Sequence, residues 1–290
     1  MKSEYRDYLL QGQQAGLRYA LFTSGRISQG LAGSNLGSRA GSSLEFMEHR
    51  NYMPGDDLRH IDWGVFARSD RLCTKMFREE ISPHVEIVID GSRSMGLAGS
   101  EKARACLGLA GLLAQASINS QFTFSAWQTG DFCEKIVNGS ESPAAWDGLE
   151  LESIVSPGEA FKRYPPHFRP RSIRVLISDL FWVGDPRQSL MSLAANASDV
   201  VILQLVARRD VEPGDQGSLR LIDSETGQVR ELFVDDAAMQ RYEQNFSRHQ
   251  QNWRRACTEF GGRMVTLVAE DVVKDWHLPE LIESEILGVA

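Results

Sequence analysis

The chain has 290 residues, 42% of them hydrophobic and 24% charged, the balance of a globular protein long enough to bury a core of its own. Its 39 acidic residues outnumber 31 basic ones for a net charge of -8, which excludes a global electrostatic grip on nucleic acid. No apolar run approaches the ~18 residues of a membrane-spanning helix. The four cysteines, Cys73, Cys106, Cys133 and Cys257, form no CxxC pair, so buried reduced thiols are expected rather than a zinc site.

The N-terminus, MKSEYRDYLLQGQQAG, is polar and carries acids. It lacks the basic-then-apolar order of a secretory signal, so a cytoplasmic protein is expected. Residues 24–43 are rich in Ser and Gly and read as loop. Residues 44–80 are dense in charge and aromatics. About 40 residues seldom build an independent core, so this stretch is expected to pack on the region after residue 83, with Trp63 as an anchor. From residue 83 the texture becomes alternating apolar strands and amphipathic helices. Strands are predicted at Val85–Asp90, Gln121–Trp127, Ile173–Ile177, Val200–Ala207 and Met264–Ala269, nearly continuous apolar runs suited to strands covered on both faces. Cys106, Leu109, Ala110 and Leu113 have helical spacing, as do Leu190, Leu193, Ala194 and Ala197, the latter helix capped by Asp185 with Pro186 at its first position. A hairpin is predicted over Leu219–Val234, turning at Ser224–Gly227, and a long helix over about 235–260. The alternation predicts an α/β protein with a doubly wound, mostly parallel sheet over residues 83–290, and residues 1–82 as an N-terminal extension packed on it.

In such sheets ligands sit outside the carboxyl ends of the strands. The first strand leaves as Asp90-Gly91-Ser92-Arg93-Ser94-Met95, and the strand at 173–177 leaves as Ser178-Asp179. Asp90, Ser92, Ser94 and Asp179 thus offer two carboxylates and two hydroxyls, an all-oxygen set suited to Mg²⁺. The competing reading is that both aspartates merely cap loops.

Asp-x-Ser-x-Ser after an apolar strand, with a second strand ending in aspartate, resembles the metal-ion-dependent adhesion site of von Willebrand factor A domains. That family also supplies a threonine from an intervening loop. Here the loop reads Ser156-Pro157-Gly158-Glu159-Ala160, where Ser156 or Glu159 would have to stand in. Upstream lie Arg50, Tyr52, Pro54, Gly55, Asp56, Asp57, Arg59, Ile61, Asp62 and Trp63. Followed by the Asp90 exit, they resemble the signature of the bacterial family called domain of unknown function 58, whose members resemble von Willebrand factor A domains. The resemblance implies a partnership with a MoxR-type AAA+ ATPase, beside which such proteins are commonly encoded.

Pro54-Gly55 also fits the centre of a type II turn, and Arg50 and Arg59 have Asp56, Asp57 and Asp62 within reach. The signature therefore reads first as structural bracing. The six histidines have no metal spacing and no phosphate-binding loop is present. A basic cluster from Lys162 to Arg174 offers a solvated loop or an acidic partner's surface. A serine hydrolase using Ser94, Asp179 and His249 or His277 has the chain order of α/β-hydrolases, but Ser92 stands where a nucleophile elbow needs glycine. The expected function is that of a non-enzymatic protein-binding module with a weak Mg²⁺ site.

Overall fold

The structure, a computed structural model, describes residues 2–22, 44–79, 83–214, 216–224 and 226–290. The Ser/Gly-rich stretch 24–43 lies outside the described residues, as does Glu225 of the predicted turn. The chain divides into two compact units, residues 1–24 with 83–290, and residues 25–82. The larger unit opens with α1 (Ser3–Gly16) and β1 (Tyr19–Leu21). The smaller unit holds β2 (Leu44–Asn51), α2 (Trp63–Ser69) and β3 (Cys73–Glu79). The larger then resumes with β4 (His84–Asp90), α3 (Lys102–Asn119), β5 (Thr123–Thr129), β6 (Cys133–Lys135), α4 (Pro157–Arg163), β7 (Ile173–Ser178), α5 (Pro186–Ala194) and β8 (Asp199–Val206). It ends with α6 (Arg208–Val211), the pair β9 (Gly217–Ile222) and β10 (Val229–Val234), α7 (Asp236–Glu259), β11 (Arg263–Val268), α8 (Ala269–Asp275), α9 (Pro279–Glu283) and β12 (Leu287–Val289).

Six strands form one sheet in the order β11-β8-β7-β4-β5-β6. All neighbours are parallel except β5 and β6. Every residue of β4 and β7 is buried, so both faces of the sheet are covered, as parallel strands require. Val88, Leu176, Val200 and Ile202 cluster with Leu190 and Leu193 of α5 and with Trp253, Ala256 and Cys257 of α7. The other face is covered by α3, which packs on β4, β5, β7 and β8 and is itself backed by α1 and α8. All four cysteines are free and buried.

Two differences from the sequence reading have local causes. The strand expected from Gln121 begins at Thr123, because Gln121 is left-handed with φ 58° and Ser120–Phe122 turn back onto the last turn of α3. The division at residue 82 also moves. Residues 3–21, expected in the extension, form α1 and β1 of the larger unit. There β1 pairs with the C-terminal strand β12, and α1 lies on α3 at glycine-only distance. A Cβ on Gly12 would stand 1.8 Å from the Gly108 carbonyl oxygen, and one on Gly111 would stand 2.3 Å from that of Leu9.

This contact generates a stability test. Gly12→Ala forces α1 and α3 apart and should lower the urea midpoint, at the ~1–3 kcal/mol cost usual for overpacking. Gly214→Ala, with nothing within 4 Å, should leave the midpoint in place. Equal midpoints for both variants would contradict the close crossing.

Candidate functional site

In the parallel register of β4 and β7, Ile89 faces Ile177. The next residues, Asp90 and Ser178, therefore stand side by side at the carboxyl ends, and the Ser178 hydroxyl donates to Asp90 Oδ2 at 2.5 Å. The same rung runs on across the sheet. Thr129 of β5 faces Asp90, Gln204 of β8 faces Ser178, and Thr266 of β11 faces Gln204. Thr129, Asp90, Ser178 and Gln204 are all fully buried. Such groups must find partners, and they do. Gly91 N–H donates to Thr129 Oγ1 at 3.2 Å. Gln204 Nε2 donates to the Asp179 carbonyl at 3.3 Å, while Gln204 Oε1 accepts from Thr266 Oγ1 at 3.0 Å.

The four residues singled out from the sequence sit at this edge. Asp90 Oδ1 accepts the Ser92 N–H at 2.9 Å, and the Ser92 and Ser94 hydroxyls lie 3.0 Å apart. Asp179, 1% exposed, accepts the Phe181 N–H through Oδ1 at 3.0 Å. Its Oδ2 accepts from the Lys102 ammonium at 2.9 Å. Asp210, from α6, places Oδ2 3.7 Å from the same ammonium and accepts the Ala207 N–H at 2.8 Å. Lys102, Ser178, Gln204 and Asp210 were not anticipated from sequence. One signal was available for Lys102: it is a cation at the first position of a helix, in a first turn that also holds Arg104, where the helix dipole opposes positive charge.

The electrostatics follow from burial. Asp90 is pushed up to about 7, by burial first and then by the Asp179 charge. Burial alone would lower the Lys102 ammonium, but the charges of Asp179 and Asp210 outweigh it and hold Lys102 above its ordinary value.

In the smaller unit the signature closes on itself. Met53-Pro54-Gly55-Asp56 is a turn closed by Asp56 N–H to Met53 O at 3.0 Å, with Gly55 at φ 108°, as its glycine requires. Arg50 meets Asp56 at 2.7 Å, and Arg59 meets Asp57 at 2.6 Å. Asp62 accepts the Gly64 and Val65 N–H groups as the cap of α2 and meets His49 at 2.8 Å and Lys75 at 3.5 Å. Tyr52 N–H donates to the Leu72 carbonyl at 2.9 Å and ties the turn to β3. Trp63 is not a buried anchor. Asp62 must cap the helix, which puts Trp63 at its first position, 62% exposed, with Phe66 edge-on at 6.2 Å.

The model of the family described as "Protein of unknown function DUF58" matches residues 48–252, a span that takes in both the signature and the strand exits. The chain belongs to this family. Among relatives, uncharacterized proteins Rv1480 of Mycobacterium tuberculosis and Mb1516 of Mycobacterium bovis are each 26% identical over 265 residues, covering 85% of this chain and 80% of the relative. A solved structure described as the conserved hypothetical protein BatB from Bacteroides thetaiotaomicron aligns with 70% of this chain and 98% of its own, at 12% identity and a TM-score of 0.36. An aerotolerance-related membrane protein from Bacteroides fragilis aligns with 69% and 99%, at 13% identity and a TM-score of 0.35. Likeness at that level carries no inference about this DUF58 chain.

The residues of this DUF58 site do not fit a divalent cation. Asp179 Oδ2 is already held by an ammonium, and both oxygens of Asp90 accept from chain donors. The two side chains that would have to replace the missing threonine are engaged elsewhere. Ser156 caps α4 by accepting the Glu159 N–H, and Glu159 pairs with Lys162 at the surface, 3.7 Å away. Ser153, which bridges beside Ser92, spends its hydroxyl on the Val155 backbone. Among the described residues no three His, Cys, Asp or Glu side chains converge to hold a metal.

The hydrolase reading also lacks its geometry. Asp179 orients a lysine rather than a histidine. His249 lies 3.0 Å from the Leu180 carbonyl, His277 is exposed, and Ser94 is partnered by Ser92. Behind the site, burial keeps the Cys106 thiol protonated, well above its ordinary range, so it supplies no thiolate. The basic cluster is partly internal: Arg174 is 3% exposed and donates to the Leu193 carbonyl at 2.6 Å. A cavity of about 750 Å³ opens at the amino ends of the strands, beside His84, Glu86 and Arg169. There Glu86 is already held by Trp127 Nε1 at 2.6 Å and the Arg169 N–H at 2.7 Å.

Asp90 makes stability depend on pH. Its folded value near 7 lies above the ordinary 3.8, so between those values the folded chain binds more protons than the unfolded one, and stability falls as pH rises. Asp90→Asn is permanently neutral and loses that slope. Its melting temperature relative to the parent should climb from about pH 4 to about pH 7 and level off above. A difference that stays constant across that range would assign the titration to another group.

Proposed function

We propose that this chain is a non-enzymatic protein-binding module of von Willebrand factor A-like type, working in the cytoplasm with a MoxR-type AAA+ ATPase. The observation that carries the reading is an exposed aromatic surface beside a closed polar site. Phe181 leaves the Asp179 exit 38% exposed, followed by the fully exposed Val183. Tyr242 of α7 donates its hydroxyl to the Asp210 carbonyl at 2.7 Å and stacks on Phe246, whose ring lies 6.0 Å from that of Phe181. Beyond α6, the β9–β10 pair stands outside the main sheet and exposes Leu221, Ile222, Val229 and Phe233. Aromatic and apolar groups in this setting suit the centre of a protein interface.

Other observations support the rest of the reading. No nucleophile is paired with a base at the strand exits, which favours binding over catalysis. No helix among the described residues is long and apolar enough to cross a membrane. Free buried cysteines suit a reducing compartment. The ATPase partnership rests on the family resemblance.

The test is capture of the MoxR-type ATPase encoded nearest to this chain, in ATP- and ADP-bound states. The parent should retain the ATPase in at least one state. Phe181→Ala with Tyr242→Ala should weaken capture by about thirtyfold or more, the effect of losing aromatic anchors worth ≥ 2 kcal/mol. Absence of capture in both states would remove the ATPase from the reading.

A further inference from the structure

We propose that Lys102 is a built-in cation: its ammonium supplies the positive charge for which the strand-exit carboxylates would otherwise need a divalent ion, and the site works without metal. Three strand exits deliver Asp90, Asp179 and Asp210 to one edge of the sheet. Lys102 comes to them from α3, with Nζ 2.9 Å from Asp179 Oδ2 and 3.7 Å from Asp210 Oδ2. It is 3% exposed, and the Phe181 ring lies 5.8 Å from the ammonium on one side.

Neither burial nor the helix favours a cation there. Burying an ammonium costs several kcal/mol, and the first turn of a helix presents the positive end of its dipole. The position is tolerable only because the anions offset both. The reverse also holds: Asp179, buried to 1%, needs a positive partner, and Lys102 is the cation in contact with it. Most of the carboxylate oxygens also accept from the chain. Asp179 Oδ1 accepts from Phe181 N–H, Asp210 Oδ2 from Ala207 N–H, and Asp90 from Ser178 and Ser92. A divalent ion entering here would have to displace those donors and sit within a few ångströms of a fixed positive charge. This inference stands independently of the binding partner proposed above.

The test compares the parent, Lys102→Met and Lys102→Met/Asp179→Asn as full-length, chelator-stripped proteins. Mn²⁺ binding is read by electron paramagnetic resonance, and thermal melting is followed with millimolar Mn²⁺ or Mg²⁺ against sodium salt of equal ionic strength. The parent should hold no Mn²⁺ and show no shift beyond the salt control. Lys102→Met keeps a stem of similar length without the charge. It should melt lower than the parent without metal, bind Mn²⁺ and recover several degrees with it, and the second substitution should abolish that recovery. Should Lys102→Met fail to fold without metal, its refolding yield with Mn²⁺ present reads the same question, rescue supporting the proposal and no rescue overturning it. Stoichiometric Mn²⁺ on the parent, lost in Asp90→Asn, would overturn it. A folded Lys102→Met that ignores both metals would overturn it equally, since its carboxylates would then call for no cation.

Discussion

The pairing of β4 with β7 sets what the rest of this molecule can do. Ile89 opposite Ile177 fixes Asp90 beside Ser178 and leaves Asp179 one residue further out. A slip of one residue would turn Asp90 to the other face of the sheet. The cost of two buried carboxylates is then a matter of geometry. One is bonded by a serine hydroxyl and pushed up to about 7 by burial and by its neighbour's charge, and the other is paired with an ammonium. Two like charges that close in a dry setting cannot both ionise freely. Pairing one of them with the Lys102 ammonium relieves the repulsion with the chain's own atoms.

The signature unit solves a similar problem at the surface by other means. The signature's aspartates Asp56, Asp57 and Asp62 are each spent locally, on a turn, a short helical segment and the cap of α2. Hydrogen bonds from Arg59 hold Asp57 down to about 2, and those from His49 and the α2 amides do the same for Asp62. Both therefore stay charged at any physiological pH. Three carboxylates in sequence look like a ligand set only until their partners are counted. Here the partners lie within two dozen residues, so bracing accounts for the spacing.

Much of this was legible in the sequence because it rests on local rules. The apolar runs of β4, β7 and β8, the Asp185-Pro186 start of α5 and the turn at Pro54-Gly55 are fixed by burial on both faces, by a cap and by a positive φ. The strand exits were legible too, since an aspartate straight after a buried strand has few places to go. What escaped depends on distant parts of the chain. In α1 the buried stripe runs through Tyr5 and Leu9 and then only small residues, Gly12, Ala15 and Gly16, which do not read as a helix face until α3 is known to approach within contact of its backbone. Asp210 and Gln204 belong to the site only because β8 lies beside β7, an order that periodicity does not encode. Lys102 was hidden because a lysine before an apolar helix reads as a solvated end.

That last error shows how a site's ionic character can be misjudged from its acids alone. An Asp-x-Ser-x-Ser exit with a second aspartate supplies oxygens, and oxygens alone argue for a hard cation. Whether one is required depends on the charge balance of the whole enclosure, including groups that arrive from helices. Around Asp179 that balance is met by a covalently tethered ammonium, which unlike a bound ion cannot dissociate or vary with metal concentration. A site closed in this way presents no open coordination position to a partner's carboxylate. On the proposed binding function, recognition comes from what surrounds it, and the aromatic groups of Phe181, Tyr242 and Phe246 lie along that edge. The polar rung holds the exit loops in place, and the apolar rim beside them is left free to make contact.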